Sequence, residues 1–248
     1  MYPCFTKSAG STLMNMDGVA VCIAAYNEER TIGKLIRGLR NLGLTKVIVV
    51  DDGSKDGTTP IARSAGARVI RLASNSGQWV ALRNAFRIAL QLGSDIIVTF
   101  DADGQHVPQT ILPLVRPVQL GEADITIASR FRQTRFSGKK VRKMGISSLN
   151  MIMWLMTKHH FTDCTSGLTA MKSDIVTRVL PDLTEPQFGR LEFWLRVAKQ
   201  SPRIVELPIS VRPSAYSNKG QLRFMANLIR TVVKTSLIKS ENGPHHPS

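Results

Sequence analysis

The sequence predicts an α/β fold, a mostly parallel sheet flanked by helices, and three observations predict it. Apolar runs rich in β-branched residues recur at residues 19–24, 47–50, 69–72 and 96–100. Runs of this kind suit strands buried on both faces. Between them lie segments with apolar residues at helical spacing, so strand and helix alternate as parallel crossovers require. Finally, three of these strands run out into loops carrying Tyr26-Asn27-Glu28, Asp51-Asp52 and Asp101-Ala102-Asp103. Ligands of open α/β sheets gather at the carboxyl ends of strands.

Taken in order, residues 19–24 form a small apolar strand and 25–29 its loop. A helix follows to about residue 42, with Ile32, Leu35, Ile36 and Leu39 on one face and Gly43 as its stop. The strand at 47–50 leads through Asp51-Asp52-Gly53-Ser54 to a helix that Thr58 or Thr59 caps, with Pro60 in its first turn. After the strand at 69–72, Gly77 opens a helix through residue 92 that delivers the chain to the strand at 96–100 and to Asp101. Pro108 starts a helix to about residue 120, and 125–129 is another strand, which Pro208 matches later by ending a strand at 204–207. Residues 144–157 carry Leu149, Ile152, Met153 and Met156 at helical spacing; their methionine richness also suits an adaptable lipid-facing surface. A polar loop at 163–167, a strand at 168–171 and helices near 173–180 and 191–198 complete the folded part.

Composition narrows the partners. A chain of 248 residues, 43% hydrophobic, can bury one full core. Lys and Arg outnumber Asp and Glu by 33 to 18, and the net charge of +15 favours nucleotide phosphates, an acidic membrane surface or nucleic acid. Aromatics at 6% and no recognition motif argue against nucleic acid. Cys4, Cys22 and Cys164 are widely spaced, which supports neither a disulfide framework nor a zinc site and fits a reducing cytoplasm. No uncharged run reaches the roughly 18 apolar residues of a membrane span. Residues 1–17 lack the apolar core of a signal peptide and read as a loose tail.

The acidic loops carry the chemistry. Asp101 and Asp103 can hold a hard divalent cation, with a nucleotide diphosphate supplying further oxygens. Carboxylates also accept hydrogen bonds from base N–H and ribose hydroxyls, while Tyr26 can cover an apolar face. Asp favours turns for local reasons, so one acid pair is weak evidence. Three such loops at one sheet edge point to a ligand.

In these residues the sequence resembles the family 2 glycosyltransferases of the GT-A fold, and among them the dolichol-phosphate mannose synthase-like enzymes that charge polyprenyl phosphates. The resemblance covers residues 19–219. It rests on Ala24-Ala25-Tyr26-Asn27-Glu28, where the family has a proline in place of Ala24, and on Asp51-Asp52-Gly53-Ser54. Further matches are Asn75, Gly77, Ala81, Arg83 and Asn84, then the loop from Asp101 to His106, Ser129-Arg130, Asp163-Cys164-Thr165-Ser166-Gly167 and Glu206-Leu207-Pro208-Ile209. It implies Mg2+ or Mn2+ at Asp101 and Asp103, and catalytic roles for Asp103, Arg130 and Asp163. Nucleotide contacts are implied for Ala24, Tyr26, Glu28, Val50, Asp52, Asp101, Ala102 and Gln105. Arg212 and Lys219 would join them, although their spacing is one residue longer than in the mannose synthases.

The activity so implied is inverting transfer of a sugar from GDP-mannose or a UDP-sugar to a polyprenyl phosphate. A saccharide hydroxyl acceptor would instead need a base, for which Asp163 and then Glu192 are available. A catalytically silent sugar-nucleotide-binding module is the remaining alternative. The expected organisation is a tail at 1–17, a GT-A domain at 18–220, a basic amphipathic helix at 221–239 and a tail at 240–248. That helix either packs its apolar face on the sheet and completes the core or, with the basic stretch at 130–143, anchors the chain to an anionic bilayer; the expected place is the cytoplasm, at the inner face of the membrane.

Overall fold

The computed structural model describes residues 15–132, 140–187 and 189–209. Residues 1–14 of the expected N-terminal tail, the C-terminal tail, Arg212, Lys219 and the helix expected at 221–239 lie outside the described residues, as does 133–139 of the basic stretch. Met16, placed in the tail by the sequence reading, is buried in the core.

The predicted α/β architecture is present. Seven strands form one sheet: β1 (Val19–Ala25), β2 (Lys46–Asp51), β3 (Arg68–Arg71), β4 (Ile96–Thr99), β5 (Ile125–Ser129), β6 (Thr169–Lys172) and β7 (Ile204–Pro208). Their spatial order is β3-β2-β1-β4-β6-β5-β7. All neighbouring pairs are parallel except those of β6, which runs antiparallel to both β4 and β5. The inversion decides where the site can form. Parallel strands bring their carboxyl ends to one edge, and an antiparallel strand brings its amino end to that same edge. The loop before β6, residues 163–168, therefore meets the loops that follow β1, β2, β4 and β5.

Both faces of the sheet are covered. Val19, Val21 and Ile23 of β1 pack with α1 (Ile32–Arg40) and α4 (Ile111–Gln119). Ala20 and Cys22, pointing the other way, pack with α3 (Gln78–Gln91), α5 (Lys140–Thr157), α6 (Ser173–Val179) and α7 (Gly189–Val197). A short helix, α2 (Thr58–Ser64), joins β2 to β3. Burial on both faces explains why these strands are continuously apolar rather than alternating.

Three boundaries differ from the sequence expectation. The helix after Pro108 opens with a 3-10 turn, Pro108–Thr110, before α4 begins. Helix α5 starts at Lys140, so the last part of the basic stretch is helical; Gly138 is the last helix breaker before it, and Lys and Arg are good helix formers. Pro208 ends β7 as expected but counts as its last residue; among the described residues β7 is an edge strand paired with β5, so the missing N–H interrupts no interior ladder.

Candidate active site

The first two loops are tied to each other by polar bonds that use up several of the expected residues. The Asn27 backbone N–H donates to Ser54 Oγ at 2.9 Å, and the Glu28 N–H to Thr58 Oγ1 at 2.7 Å. Asn27 itself sits at φ 56, a left-handed conformation that Asn tolerates. Asp51 is fully buried and accepts from the Ser54 N–H and the Thr59 hydroxyl, so it builds the loop. Asp52 accepts from the N–H groups of Ser76 at 2.7 Å and Gly77 at 2.9 Å, holding the start of α3 with both oxygens. Each oxygen retains acceptor capacity for a ligand. Val50 is fully buried beside its register partner Ala24, in the layer with Trp79, and supports the floor of this region. Tyr26 stands exposed above it.

The third loop gathers negative charge. Burial raises the Glu28 carboxyl above the ordinary range; Thr31, whose hydroxyl donates to it at 2.8 Å, works against this, and the charges of Asp103, Asp56 and Asp101 add to it. Asp103 is solvent-exposed, yet the protein packed about its loop still pushes its carboxyl upward. The Gln105 N–H, donating at 3.0 Å, opposes that push, and the Asp101 charge reinforces it. The Gln105 side-chain amide also donates to Asp103, while Ala102 between the two acids is buried in the core. Behind them His106 is buried, with no hydrogen-bond partner for Nδ1 among the described residues. Its pKa is pushed down by burial, with Asp101 and Asp103 pulling the other way. On the far side of this loop, α1 and residues 104–109 enclose a groove of about 540 Å3, lined in part by Arg30, Lys34 and His106.

Asp101 is held by shape more than by bonds. Among the described residues its one hydrogen bond is from the Gln78 amide at 3.5 Å. A β-carbon placed on Gly167 would fall on the Asp101 carboxylate, so the loop before β6 lies directly against the acid. That loop is itself fixed from below. The Thr99 hydroxyl donates to the Gly167 carbonyl at 2.8 Å, and Arg190 donates to the same carbonyl at 3.4 Å and to Thr169 Oγ1 at 3.3 Å. Arg190 is buried, lies 5.2 Å from the Trp79 ring, and has no ion pair among the described residues. Burial pulls its guanidinium down to about 10, with Asp101 and Asp163 pulling it back up.

Beside Gly167 stands an ion pair. Arg130 donates from Nε to Asp163 Oδ2 at 2.7 Å and from Nη2 to Oδ1 at 2.8 Å, a two-pronged geometry, and Nη2 also reaches Thr165 Oγ1 at 2.8 Å. Asp163 is fully buried. Burial pulls the Arg130 guanidinium down, but Asp163 outweighs it and the net shift is upward. Glu206 of β7 accepts from the Thr162 N–H at 2.9 Å and the Asp163 N–H at 3.3 Å, which locks the turn from the opposite side.

The donor set fits Mg2+ or Mn2+ in part. Both acids supply hard oxygens, and their mutual repulsion is what a cation would relieve. Among the described residues no group of three His, Cys, Asp or Glu is gathered for a metal, and two carboxylates alone leave positions of a coordination shell open to a nucleotide or water.

This arrangement of strand-end acids facing a loop-held arginine agrees with the comparisons with known proteins. The family model described as glycosyl transferase family 2 matches residues 20–180. The chain belongs to glycosyltransferase family 2. As a family 2 enzyme it is a glycosyltransferase of the GT-A fold. It is 31% identical over 207 residues to an undecaprenyl-phosphate mannosyltransferase of Micrococcus luteus, covering 77% of this chain and 82% of that one. A UDP-N-acetylglucosamine–dolichyl-phosphate N-acetylglucosaminyltransferase of Methanococcus voltae is 29% identical over 219 residues, covering 80% and 87%. Among solved structures, glucosyl-3-phosphoglycerate synthase of Mycobacterium tuberculosis with Mn2+ and uridine diphosphate superposes with a TM-score of 0.71 at 21% identity, covering 96% of this chain and 86% of that one. That likeness shows the fold.

Thus the edge brings together Glu28, Asp101, Asp103, Gln105, Arg130 and Asp163, with Tyr26 and Asp52 on its first two loops. Sequence reasoning gave no role to Gln78, Thr165 or Arg190. Arg190 leaves one signal, a cation two residues before Glu192 in a run whose other members, Leu191, Phe193 and Trp194, are apolar.

Two predictions follow from this packing. Gly167→Ala should displace Asp101 and lower kcat/KM by about 10²-fold, the cost of misplacing a reacting group by about 1 Å, with the far-UV circular dichroism unchanged. The second concerns Asp103. Its folded pKa is raised, so the folded state holds the proton more tightly than the unfolded chain, and stability falls as pH rises through the carboxylate range. Asp103→Asn should therefore match the parent in thermal unfolding below that range and exceed it at neutral pH, in metal-free buffer.

Proposed function

We propose that the protein transfers a sugar from a nucleotide-diphosphate sugar, GDP-mannose or a UDP-sugar, to a polyprenyl phosphate with inversion at the anomeric carbon. One observation favours this acceptor. Asp163, the carboxylate a hydroxyl acceptor would call on as base, has both oxygens engaged by Arg130 and Thr165. Glu192 is no freer, since it accepts from the Thr184 and Glu185 N–H groups and pairs with Arg196. A phosphate monoester, with its second pKa near ~6, is already a dianion at neutral pH and attacks without a base. The relatives that act on undecaprenyl and dolichyl phosphates support the same reading.

In this reading Tyr26, Ala24, Glu28 and Asp52 surround the nucleoside with Val50 buried beneath them, and Ala102 and Gln105 shape the loop beneath the diphosphate. Asp101 and Asp103 hold the cation, which offsets charge developing on the leaving diphosphate. Asp163 is a positioning residue: it orients Arg130, whose Nη1 has no hydrogen bond among the described residues and is left to donate to the leaving diphosphate. Arg212 and Lys219 are assigned to the donor as further cations. A saccharide hydroxyl acceptor is the competing reading. Among the described residues no helix is long and apolar enough to cross a membrane, and the proposal takes the protein to act peripherally, at the inner face.

The test is an incubation of the purified protein with a panel of UDP- and GDP-sugars, Mn2+ or Mg2+, and a polyprenyl phosphate or an oligosaccharide, with products identified by mass spectrometry. The expected product is a glycosyl phosphoryl polyprenol, reduced by about 10²–10³-fold in rate by Asp101→Asn or Asp103→Asn, as for loss of one preorganised electrostatic group. Transfer to the oligosaccharide alone would reject the acceptor, and full turnover by a folded Asp103→Asn would reject the metal assignment.

A further inference from the structure

Helix α5 is apolar on two opposite faces, and among the described residues only one of them is buried against the rest of the protein. Ile146, Leu149 and Met153 are buried. On the other side Met144, Met151 and Leu155 are 69%, 56% and 55% exposed. At about 100° per residue these three fall within about 40° of one another, along about 16 Å of helix. Ser147 and Ser148, also exposed, share their side, and Lys158 follows at its end. A continuous stripe of this kind is a contact surface, whereas single exposed apolar residues are ordinary.

The charge around the stripe selects its partner. Between residues 125 and 162 the chain has eight Lys and Arg and no Asp or Glu. Lys140, Arg142 and Lys143 stand in the first turn of α5, and Lys158 lies 5.9 Å from the Trp154 ring, which also stacks on His160 at 5.2 Å. Large apolar side chains flanked by cations, with an aromatic ring at the boundary, are the composition of a helix lying in the plane of an anionic bilayer surface.

We propose that the outer face of α5 is a membrane-docking surface, with Met144, Met151 and Leu155 entering the headgroup boundary of an anionic bilayer. The proposal deepens the polyprenyl-phosphate reading and rests on it for its purpose. The same helix holds the acceptor side of the site: Asn150 donates to the Thr162 carbonyl at 2.7 Å and accepts from the Cys164 N–H at 3.0 Å, on either side of Asp163. Docking through α5 thus sets the Arg130–Asp163 pair at the bilayer surface, where a lipid phosphate lies.

The test compares the full chain with Met151→Glu/Leu155→Glu, a change confined to exposed positions. Sedimentation is measured with vesicles of phosphatidylcholine alone and with about one-third phosphatidylglycerol, and transfer is assayed to polyprenyl phosphate in those vesicles and to a short, water-soluble prenyl phosphate. The parent should sediment with the anionic vesicles. The variant should lose about tenfold or more of that binding and a like share of transfer in vesicles, while transfer to the soluble acceptor and the circular dichroism are kept. Equal sedimentation of variant and parent overturns the proposal, as does a parent that ignores vesicles and forms dimers that the two substitutions dissociate. A parent that binds anionic vesicles through α5 yet uses neither prenyl phosphate upholds the docking surface and rejects the acceptor reading instead.

Discussion

The site depends on the contact between the Asp101 carboxylate and the backbone of Gly167. It joins two halves of the chain that are distant in sequence, the strand-loop-helix units before residue 110 and the loop that enters β6. Only the antiparallel insertion of β6 between β4 and β5 brings that loop to the carboxyl edge of the other strands. With a side chain at residue 167 the acid would have to move, and with it the distance from the Asp101 and Asp103 pair to Arg130. The hydrogen bonds of Thr99 and Arg190 to the Gly167 carbonyl hold this contact from the core side.

Charge is distributed unevenly across that contact. On one side Glu28, Asp101 and Asp103 repel one another, and the carboxyls of Glu28 and Asp103 are raised. On the other stand two largely buried arginines with different tasks. Arg130 is neutralised by Asp163 in a fork-shaped pair and has donors left for an anion. Arg190 has no carboxylate partner among the described residues, and the nearby acids lessen the cost of burying it. Acids that repel and an arginine with donors beyond its partner are the arrangement that a cation and a diphosphate together would relieve.

Much of the fold was legible because the signals were local. Buried parallel strands announce themselves as unbroken β-branched runs, and Gly43, Gly66, Gly77 and Gly93 punctuate the helices between them. The place of β6 was not legible, since strand direction depends on pairing across the sheet and leaves no mark in a four-residue run. For the site, the strand-end acids could be read from position alone. What Asp51, Asp52 and Asp163 bond to could not, because their partners Thr59, Ser76 and Arg130 are supplied by other turns of the chain. Arg190 escaped for the same reason: it acts on Gly167 through a distant carbonyl rather than a motif. Helix α5 shows the limit from the other direction. Its methionines were visible, but only burial separates Met153, which packs on the core, from Met151, which faces out.

The central claim is that Asp101 and Asp103 form half of a cation site that a nucleotide diphosphate completes. Calorimetric titration of Mn2+ into the protein, alone and with saturating UDP or GDP, tests it most directly. Two carboxylates with no third ligand gathered beside them among the described residues should bind Mn2+ weakly, and one of the two nucleotides should tighten the affinity by at least about tenfold, with Gly167→Ala losing the gain. Equal Mn2+ affinity with and without either nucleotide would contradict the account.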